Sequence, residues 1–327
     1  MLYLHGIGHY HPENIITNRF IAELDIGSDE EWIMERVGIQ SRRTSLSLDY
    51  IRDTRNRDVR EASEASIISR PVASAKAARM AFERAHLTPQ DIGMVIAGSC
   101  TPGRMIPAEA ATIAAELEIE APCVDINSAC STFVVQLAFL AGMAQGSLPN
   151  FVLVVNPETF THAVDYSDRS VAPLFGDGFS AAVVSNLIPS SISFEGFSYT
   201  SAPALWEKVV IAPYGHFNQD GKSVQRYAIR TVTQAIQTIQ NECGREADGL
   251  KFIGHQANFL MLAHVCEKCG ISTENHWYNV VDFGNTGSSG APIVLSQNFE
   301  RLKNGDHVAM AVVGSGLTSA HTLVRVH

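Results

Sequence analysis

The sequence predicts an α/β protein whose layered arrangement occurs twice along the chain. Strand-like runs such as MVIAGS, FVLVVN and VAMAVVGS alternate with helix-like stretches such as ASAKAARMAFERAHL. That alternation is typical of sheets covered by helices. The strands are almost continuously apolar, which favours sheets that are buried on both faces. A loose internal repeat completes the prediction, because self-similarity along a chain indicates duplicated structural units.

The internal repeat relates residues 1–188 to residues 189–327, with a seam predicted near Pro189–Ser193. In the first half, the strand Cys123–Ile126 turns sharply into a long apolar helix. In the second half, Tyr278–Asp282 turns into a similar helix. Reactive residues at the two matching strand-to-helix turns would then face each other across a pseudo-twofold axis.

Length and composition limit the class of protein. A chain of 327 residues with 46% hydrophobic residues can bury a large core. Its start, MLYLHGIGHYHPEN, lacks the pattern of a secretory signal, and no run of about 18 apolar residues predicts a membrane span. The net charge is -10 and no block of Lys and Arg stands out, so nucleic-acid binding has no visible electrostatic basis. We therefore expect a cytoplasmic protein that binds neither nucleic acid nor membrane.

The cysteines indicate thiol chemistry more than a disulfide framework. Six cysteines occur at irregular spacing, which in a cytoplasmic chain favours free thiols. Cys266 and Cys269 form a C-x-x-C pair, but no second pair or His-x-x-x-His partner follows it. Packing within a helix explains this pair better than a metal site, and we predict no metal.

Cys130 is the candidate nucleophile. It lies in DINSACSTFVVQLAFLAGM, directly after a strand and at the start of a long apolar helix. A helix N-terminus carries a partial positive charge, which favours a thiolate over a thiol and lowers the pKa of a cysteine. The alternative is a small buried apolar residue, which is the usual role of a cysteine. Placement alone leaves both possibilities open.

His255 and Asn285 add chemistry that Cys130 alone cannot supply. His255 opens HQAN at a strand end, and Asn285 lies in FGNTGSSGAP before a helix. Each alone is an ordinary structural residue. Together with a cysteine, their side chains could hold the enolate oxygen that forms when a malonyl thioester loses carbon dioxide. The glycine-rich Gly314–Gly316 could add a backbone N–H for an oxyanion, although on its own it is only a tight turn.

Over nearly its whole length, the chain resembles a known family. EEWIMERVGIQSR, the cysteine turn, DRSVAPLFGDGFSAAVV, GHQAN, FGNTGSSGAP and VVGSGLTSA occur in the order and approximate spacing of ketoacyl-acyl-carrier-protein synthase III. The resemblance implies a thiolase-like fold of two pseudo-duplicated halves in an α-β-α-β-α arrangement, and a homodimer. It also implies that Cys130 accepts an acyl group while His255 and Asn285 bind the malonyl thioester oxygen.

The same resemblance assigns binding residues. Trp32 and Arg169 would flank the coenzyme A tail, and Asn258 would lie in the pantetheine tunnel. Ser315 falls where the family has the second oxyanion N–H, beside that of Cys130. No resident cofactor is implied, since coenzyme A thioesters are the substrates.

Several positions depart from the family pattern. Ile106 stands where the family has an acyl-pocket aromatic that reaches across the dimer, and Phe179 follows FGDG where a small residue is usual, so the acyl pocket should be reshaped. Leu260 and Glu267 replace basic residues that face an acidic carrier protein. The segment Leu48–Arg70 is longer than its counterpart, and we expect it on the surface.

The predicted function is decarboxylative Claisen condensation of an acyl-coenzyme A primer with a malonyl thioester, borne by coenzyme A or an acyl carrier protein. The product would be a 3-oxoacyl thioester for fatty acid or polyketide-type biosynthesis. Degradative thiolases are disfavoured because no cysteine follows Cys269 to act as a base. Chalcone-synthase-like enzymes are weaker relatives. Two alternatives stay open, namely acyl transfer to an amine or alcohol and a non-catalytic acyl-binding partner subunit.

Overall fold

The computed structural model describes residues 1–244 and 249–327. Among these residues, ten strands form one mixed sheet, and two small two-stranded sheets lie outside it. The strands are β1 (Leu2–Tyr10), β2 (Asn14–Thr17), β3 (Ser41–Thr44), β4 (Met94–Ala97), β5 (Cys123–Asp125), β6 (Val152–Thr159), β7 (Asp177–Ser185), β8 (Ile192–Ser201), β9 (Val209–Ile211), β10 (Phe217–Gln219), β11 (Lys251–Gly254), β12 (His276–Trp277), β13 (His307–Gly314) and β14 (Thr318–Val326). The helices are α1 (Asn18–Glu23), α2 (Glu30–Val37), α3 (Leu48–Thr54), α4 (Arg70–Ala85), α5 (Glu109–Glu116), α6 (Thr132–Gly142), α7 (Gly221–Cys243), α8 (Phe259–Cys269), α9 (Val280–Phe283) and α10 (Gly290–Gln297).

The large sheet repeats one pattern in its two halves. Its order is β12-β11-β13-β14-β8-β1-β7-β6-β4-β5. In each half three parallel strands are followed by two antiparallel ones, β5-β4-β6-β7-β1 in the first and β12-β11-β13-β14-β8 in the second. Only the pairs Leu2 with Phe194 and Tyr3 with Ser193 join β1 to β8. This duplicated pattern agrees with the predicted fold class, while a division into units 1–188 and 189–327 stays a prediction.

The helices form three layers around the strands. α4 and α5 pack on the outer face of the first half, and α7 and α8 cover the second half. α6 and α10 lie between the halves and contact strands of both. α6 can occupy this position because its sequence TFVVQLAFLAG is apolar over most of its surface, as expected of a helix that packs on more than one side. The predicted α-β-α-β-α layering is therefore confirmed.

The segment Leu48–Arg70 is only partly a surface element, contrary to expectation. It begins as α3, continues in turns and ends at the start of α4. Ile51, Asn56 and Ala62 are fully buried. The Asn56 side chain donates hydrogen bonds to backbone carbonyl oxygens of the main body, those of His162 and Val164, at 2.9 Å each. These bonds fix the segment against the body of the protein.

The remaining sequence expectations concern cysteines and membrane spans. None of the six cysteines forms a disulfide bond, and Cys266 and Cys269 are buried on α8 in the core. Burial raises the pKa of the Cys266 thiol to about 12. Within residues 1–244 and 249–327, every helix is too short or too polar to cross a membrane. A cytoplasmic location stays a prediction.

Candidate active site

Cys130 lies in a tight turn between β5 and α6. The preceding residue, Ala129, has a left-handed backbone with φ of 48°, which costs a non-glycine residue about 1–2 kcal/mol. Hydrogen bonds hold the turn closed: the Ala129 carbonyl oxygen accepts from the Thr132 N–H at 3.0 Å and from its hydroxyl at 2.6 Å. The Asn127 side chain accepts from the Ala129 N–H at 2.8 Å. The turn thus places Cys130 two residues before α6, at the positive end of the helix.

The end of β13 packs directly against this turn. A Cβ atom on Gly314 would lie 2.6 Å from the Ser128 carbonyl oxygen and 2.9 Å from the Ser131 nitrogen. Only glycine allows that approach. Gly314 and Ser315 consequently lie beside Cys130 in the same cavity, as the glycine-rich motif predicts.

A cavity of about 540 Å³ brings the three predicted reactive residues together. Cys130 comes from the first half, whereas His255 follows β11 and Asn285 follows α9 in the second half. His255 and Asn285 are 9% and 7% exposed, so both side chains are nearly removed from water. A polar donor in such a site interacts more strongly with a developing negative charge than it would in solvent.

The loop that holds Asn285 also fixes which end of its side chain can act. The Asn285 backbone pairs with the FGDG region, because its N–H donates to the Leu174 carbonyl oxygen at 2.8 Å and its carbonyl oxygen accepts from Gly176 at 3.1 Å. Its side-chain oxygen accepts from the Gly287 N–H at 2.9 Å. With the oxygen occupied, the amide NH2 group is the part left to donate a hydrogen bond.

The site contains a second cysteine that sequence reasoning missed. The Cys100 sulfur lies 3.7 Å from the Cys130 sulfur. The pKa of Cys130 is lowered from its ordinary value, first by the hydrogen bond from Cys100 and then by His255, against an opposing effect of burial. No local sequence pattern marks Cys100, because its approach to Cys130 depends on β4 and β5 being parallel neighbours, whose following residues meet at one edge of the sheet.

Glu158 is a second residue that the sequence analysis missed. Its fully buried carboxylate accepts hydrogen bonds from the Cys100 N–H at 2.9 Å and from the Ser288 N–H at 3.0 Å. It also accepts from the hydroxyl groups of Ser99 and Ser288. Burial raises the pKa of Glu158. One side chain therefore connects the loop of Cys100 to the turn that carries Asn285.

The predicted binding residues lie near the cavity. The Arg169 guanidinium sits 4.1 Å above the Trp32 ring, so these two residues stack on each other. Asn258 and Ser315 both line the cavity. However, the Asn258 side chain already caps α8, where it accepts from the Met261 N–H at 3.0 Å. The Ser315 hydroxyl donates to the Val209 carbonyl oxygen at 2.6 Å, which leaves its backbone N–H as the candidate oxyanion donor.

The two predicted acyl-pocket residues are placed differently from each other. Phe179 is fully buried in β7, in the apolar cluster beneath α4 and against Tyr10, so its packing does not support a role in the acyl pocket. Ile106 is 83% exposed on the loop after β4. Its neighbour Met105 lines a second cavity of about 480 Å³, to which Cys100 also contributes.

Comparisons with known proteins agree with this geometry. The family profile "3-Oxoacyl-[acyl-carrier-protein (ACP)] synthase III" matches residues 124–201, and its C-terminal counterpart matches residues 244–326. The beta-ketoacyl-[acyl-carrier-protein] synthase III of Clostridium beijerinckii is 29% identical over 98% of this chain and 98% of its own length. That of Aquifex aeolicus is also 29% identical, with the same coverage of both chains.

Solved structures give the same result. The 3-oxoacyl-[acyl-carrier-protein] synthase III of Aquifex aeolicus VF5 has a TM-score of 0.87 at 27% identity and covers 99% of this chain and 100% of its own. The priming beta-ketosynthase from the R1128 polyketide pathway has a TM-score of 0.84 at 26% identity, over 99% of this chain and 96% of its own.

The layered halves and the cavity between them define a protein of the thiolase-fold class. Within that class, the chain belongs to the beta-ketoacyl-acyl-carrier-protein synthase III family. The family resemblance inferred from the sequence motifs is thereby confirmed.

Proposed function

We propose that this protein catalyses decarboxylative Claisen condensation between an acyl-coenzyme A primer and a malonyl thioester, giving a 3-oxoacyl thioester in fatty acid or polyketide biosynthesis. The observation that carries the proposal is that Cys130, His255 and Asn285 line one cavity. A non-catalytic partner subunit would have no need for a cysteine with a lowered pKa facing two polar donors. The relatives bear names for this same class of condensing enzyme.

The first stage transfers the acyl group to the enzyme. The Cys130 thiolate attacks the carbonyl carbon of the acyl-coenzyme A, a new C–S bond forms, and the thiolate of coenzyme A leaves. The tetrahedral intermediate carries an oxyanion. Its donors would be the backbone N–H groups of Cys130 and Ser315, since both residues line the cavity and Gly314 lies against the nucleophile turn.

The second stage forms the carbon–carbon bond. The malonyl thioester loses carbon dioxide when its C–C bond breaks, and the electron pair passes to an enolate whose oxygen accepts hydrogen bonds from His255 and Asn285. The enolate carbon then attacks the acyl carbonyl carbon held on Cys130. A new C–C bond forms, the C–S bond to Cys130 breaks, and Cys130 leaves as a thiolate. Both stages use only side chains and backbone groups of this chain, so the reaction requires no resident cofactor.

The second cavity is the proposed location of the primer's acyl chain. Cys100 lines it and lies 3.7 Å from the nucleophile, so the cavity begins close to the reacting carbonyl. Val59, Arg60 and Ser63 from the long segment Leu48–Arg70 form part of its wall. This gives the segment a purpose, because its length would set the size and polarity of the primer pocket.

The malonyl donor would approach along α7 and α8. A shallow groove between these helices holds Arg226, Arg230 and Lys268, three cationic side chains. On the same helix α8, Leu260 is 43% exposed and the Glu267 side chain is 83% exposed. The three cations of this face are therefore accompanied by the neutral Leu260 and by Glu267, whose charge reduces the net positive charge of the face. We propose that the enzyme, acting as a homodimer, accepts malonyl-coenzyme A or a dedicated carrier more readily than a generic acidic carrier.

Product analysis tests the proposed function. Wild type and Cys130→Ala are incubated with a panel of acyl-coenzyme A thioesters, with and without a malonyl donor. We expect wild type to gain one acyl mass without the donor, and to release carbon dioxide and a 3-oxoacyl thioester with it, while Cys130→Ala forms no acyl enzyme. If wild type instead passes its acyl group to an amine or alcohol and never uses malonyl donors, the condensation proposal is wrong.

A further inference from the structure

The Cys100 thiol contacts the nucleophile, yet the condensation steps described above for Cys130, His255 and Asn285 give it no role. It follows β4 on a loop, and its sulfur lies 3.7 Å from the Cys130 sulfur, within hydrogen-bonding distance for two sulfur atoms. The two thiols meet at the junction of the two cavities, since Cys130 lines one and Cys100 lines the other.

The surroundings decide which sulfur is the donor. The Cys100 N–H lies 2.9 Å from one oxygen of the buried Glu158 carboxylate and 3.1 Å from the other, and it donates a hydrogen bond to them. A thiolate on Cys100 would therefore form beside a carboxylate. Cys130 instead faces His255 and lies at the positive end of α6. The pKa of Cys100 is accordingly raised, through its hydrogen bond to Cys130, its burial and the charges of Cys130 and Glu158. Negative charge therefore resides on Cys130.

We propose that Cys100 is a positioning residue whose thiol donates a hydrogen bond to the Cys130 thiolate, and so holds the nucleophile charged and oriented before acylation. Its importance for catalysis rests on the proposed condensing function, but the hydrogen bond itself can be measured without any condensation. The thiol remains protonated throughout, and no electrons are exchanged between the two sulfur atoms.

The hydrogen bond has opposite effects at low and high pH. A hydrogen bond to a charged group stabilises it by an amount equivalent to about one to two pH units. Without Cys100, the lowered pKa of Cys130 should rise, so that less thiolate is present at mildly acidic pH. The thiolate that forms at high pH should be more reactive, however, because nucleophilicity increases with thiol pKa. Loss of the donor should therefore slow the reaction of Cys130 at mildly acidic pH and leave its rate at neutral and higher pH equal or higher.

The test is the pH dependence of Cys130 alkylation by iodoacetamide, followed by mass spectrometry of the Cys130 peptide. The variants are Cys100→Ala, which removes the donor, and Cys100→Ser, which keeps an O–H donor at the same position. Cys123→Ala is the matched control, since Cys123 lies on β5 and its thiol bonds to the Ala121 carbonyl oxygen. Unfolding in urea confirms that each variant is folded at the pH values used.

We expect Cys100→Ala to move the alkylation midpoint upward by about one to two pH units without lowering the rate at high pH. Cys100→Ser should titrate close to wild type, and Cys123→Ala should match it. An unchanged midpoint in Cys100→Ala would overturn the proposal. So would a lower rate at every pH that Cys100→Ser fails to restore, because this is the pattern of simple structural damage. A chain with the expected alkylation profiles but no condensation activity would refute the proposed function and leave the hydrogen bond supported.

Discussion

Gly287 is a position where one added methyl group should disturb both sides of the active site. Its backbone has a positive φ of 58°, and a Cβ atom there would lie 2.9 Å from the carboxyl carbon and one oxygen of Glu158 and 3.1 Å from the Phe160 ring. The Gly287→Ala variant therefore combines backbone strain with a collision against a buried charged group. Because Glu158 holds both Cys100 and Ser288, its displacement should reach the nucleophile and the turn of Asn285.

A matched variant separates the two costs. Gly270 at the end of α8 has a similar φ of 66°, but a Cβ atom there would meet no other atom within 4 Å. Gly270→Ala should lower the free energy of unfolding by about 1–2 kcal/mol, the cost of a left-handed alanine. Gly287→Ala should lower it by about 1–3 kcal/mol more, as is typical of overpacking a core.

The activity of the two variants should differ more than their stability. A shift of about 1 Å in a reacting group can cost on the order of 10²-fold in rate, so Gly287→Ala should lose most condensation activity while Gly270→Ala keeps it. The measurements are urea unfolding and the condensation rate for each variant. If the two variants have the same stability and both condense at the wild-type rate, Glu158 does not couple the two halves of the site.

Three further predictions concern the chemistry and the donor. Of the six thiols, Cys130 alone should become acylated, because burial keeps Cys266 and Cys269 protonated; peptide mapping with label mainly on either of those two would contradict this. Asn285→Ala should still acquire an acyl group but lose about 10²–10³-fold in condensation and malonyl decarboxylation rate, and condensation near the wild-type rate would make Asn285 a turn residue only. Glu267→Lys should increase the rate with a malonyl-carrier protein and make it more sensitive to salt, with little effect on the rate with malonyl-coenzyme A; a wild type that already prefers a generic acidic carrier, with a rate that falls steeply as salt rises, would contradict the proposal that Leu260 and Glu267 weaken carrier binding at this face.

Much of the architecture could be predicted because it depends on patterns local to the sequence. Apolar strands alternating with helices predicted the layers, and the strand-to-helix turn marked Cys130 as a candidate nucleophile. Asn285 and His255 were found because their motifs stand at the ends of regular elements. The cavity that brings these three residues together follows from the duplicated topology.

What could not be predicted depends on contacts between distant segments. Cys100 and Glu158 act through tertiary contacts, and neither has a neighbouring sequence pattern that marks it. The packing of Phe179 could not be predicted because the face on which a strand residue lies depends on register, and β7 places this side chain in the apolar cluster that includes α4. The packing of Asn56 beneath residues 162–164 is equally invisible in a segment whose composition is charged.

The middle layer couples the stability of one half to that of the other, although the two halves repeat one pattern. α6 belongs to the first half and α10 to the second, yet each buries its apolar side chains against strands of both halves. A fragment cut at the seam would expose one face of its sheet and one of these helices to water, at a cost of about 25 cal/mol for each Å² of apolar surface. The two halves should therefore unfold in a single cooperative transition, and the cysteine would lose its partners from the second half only when the whole molecule opens.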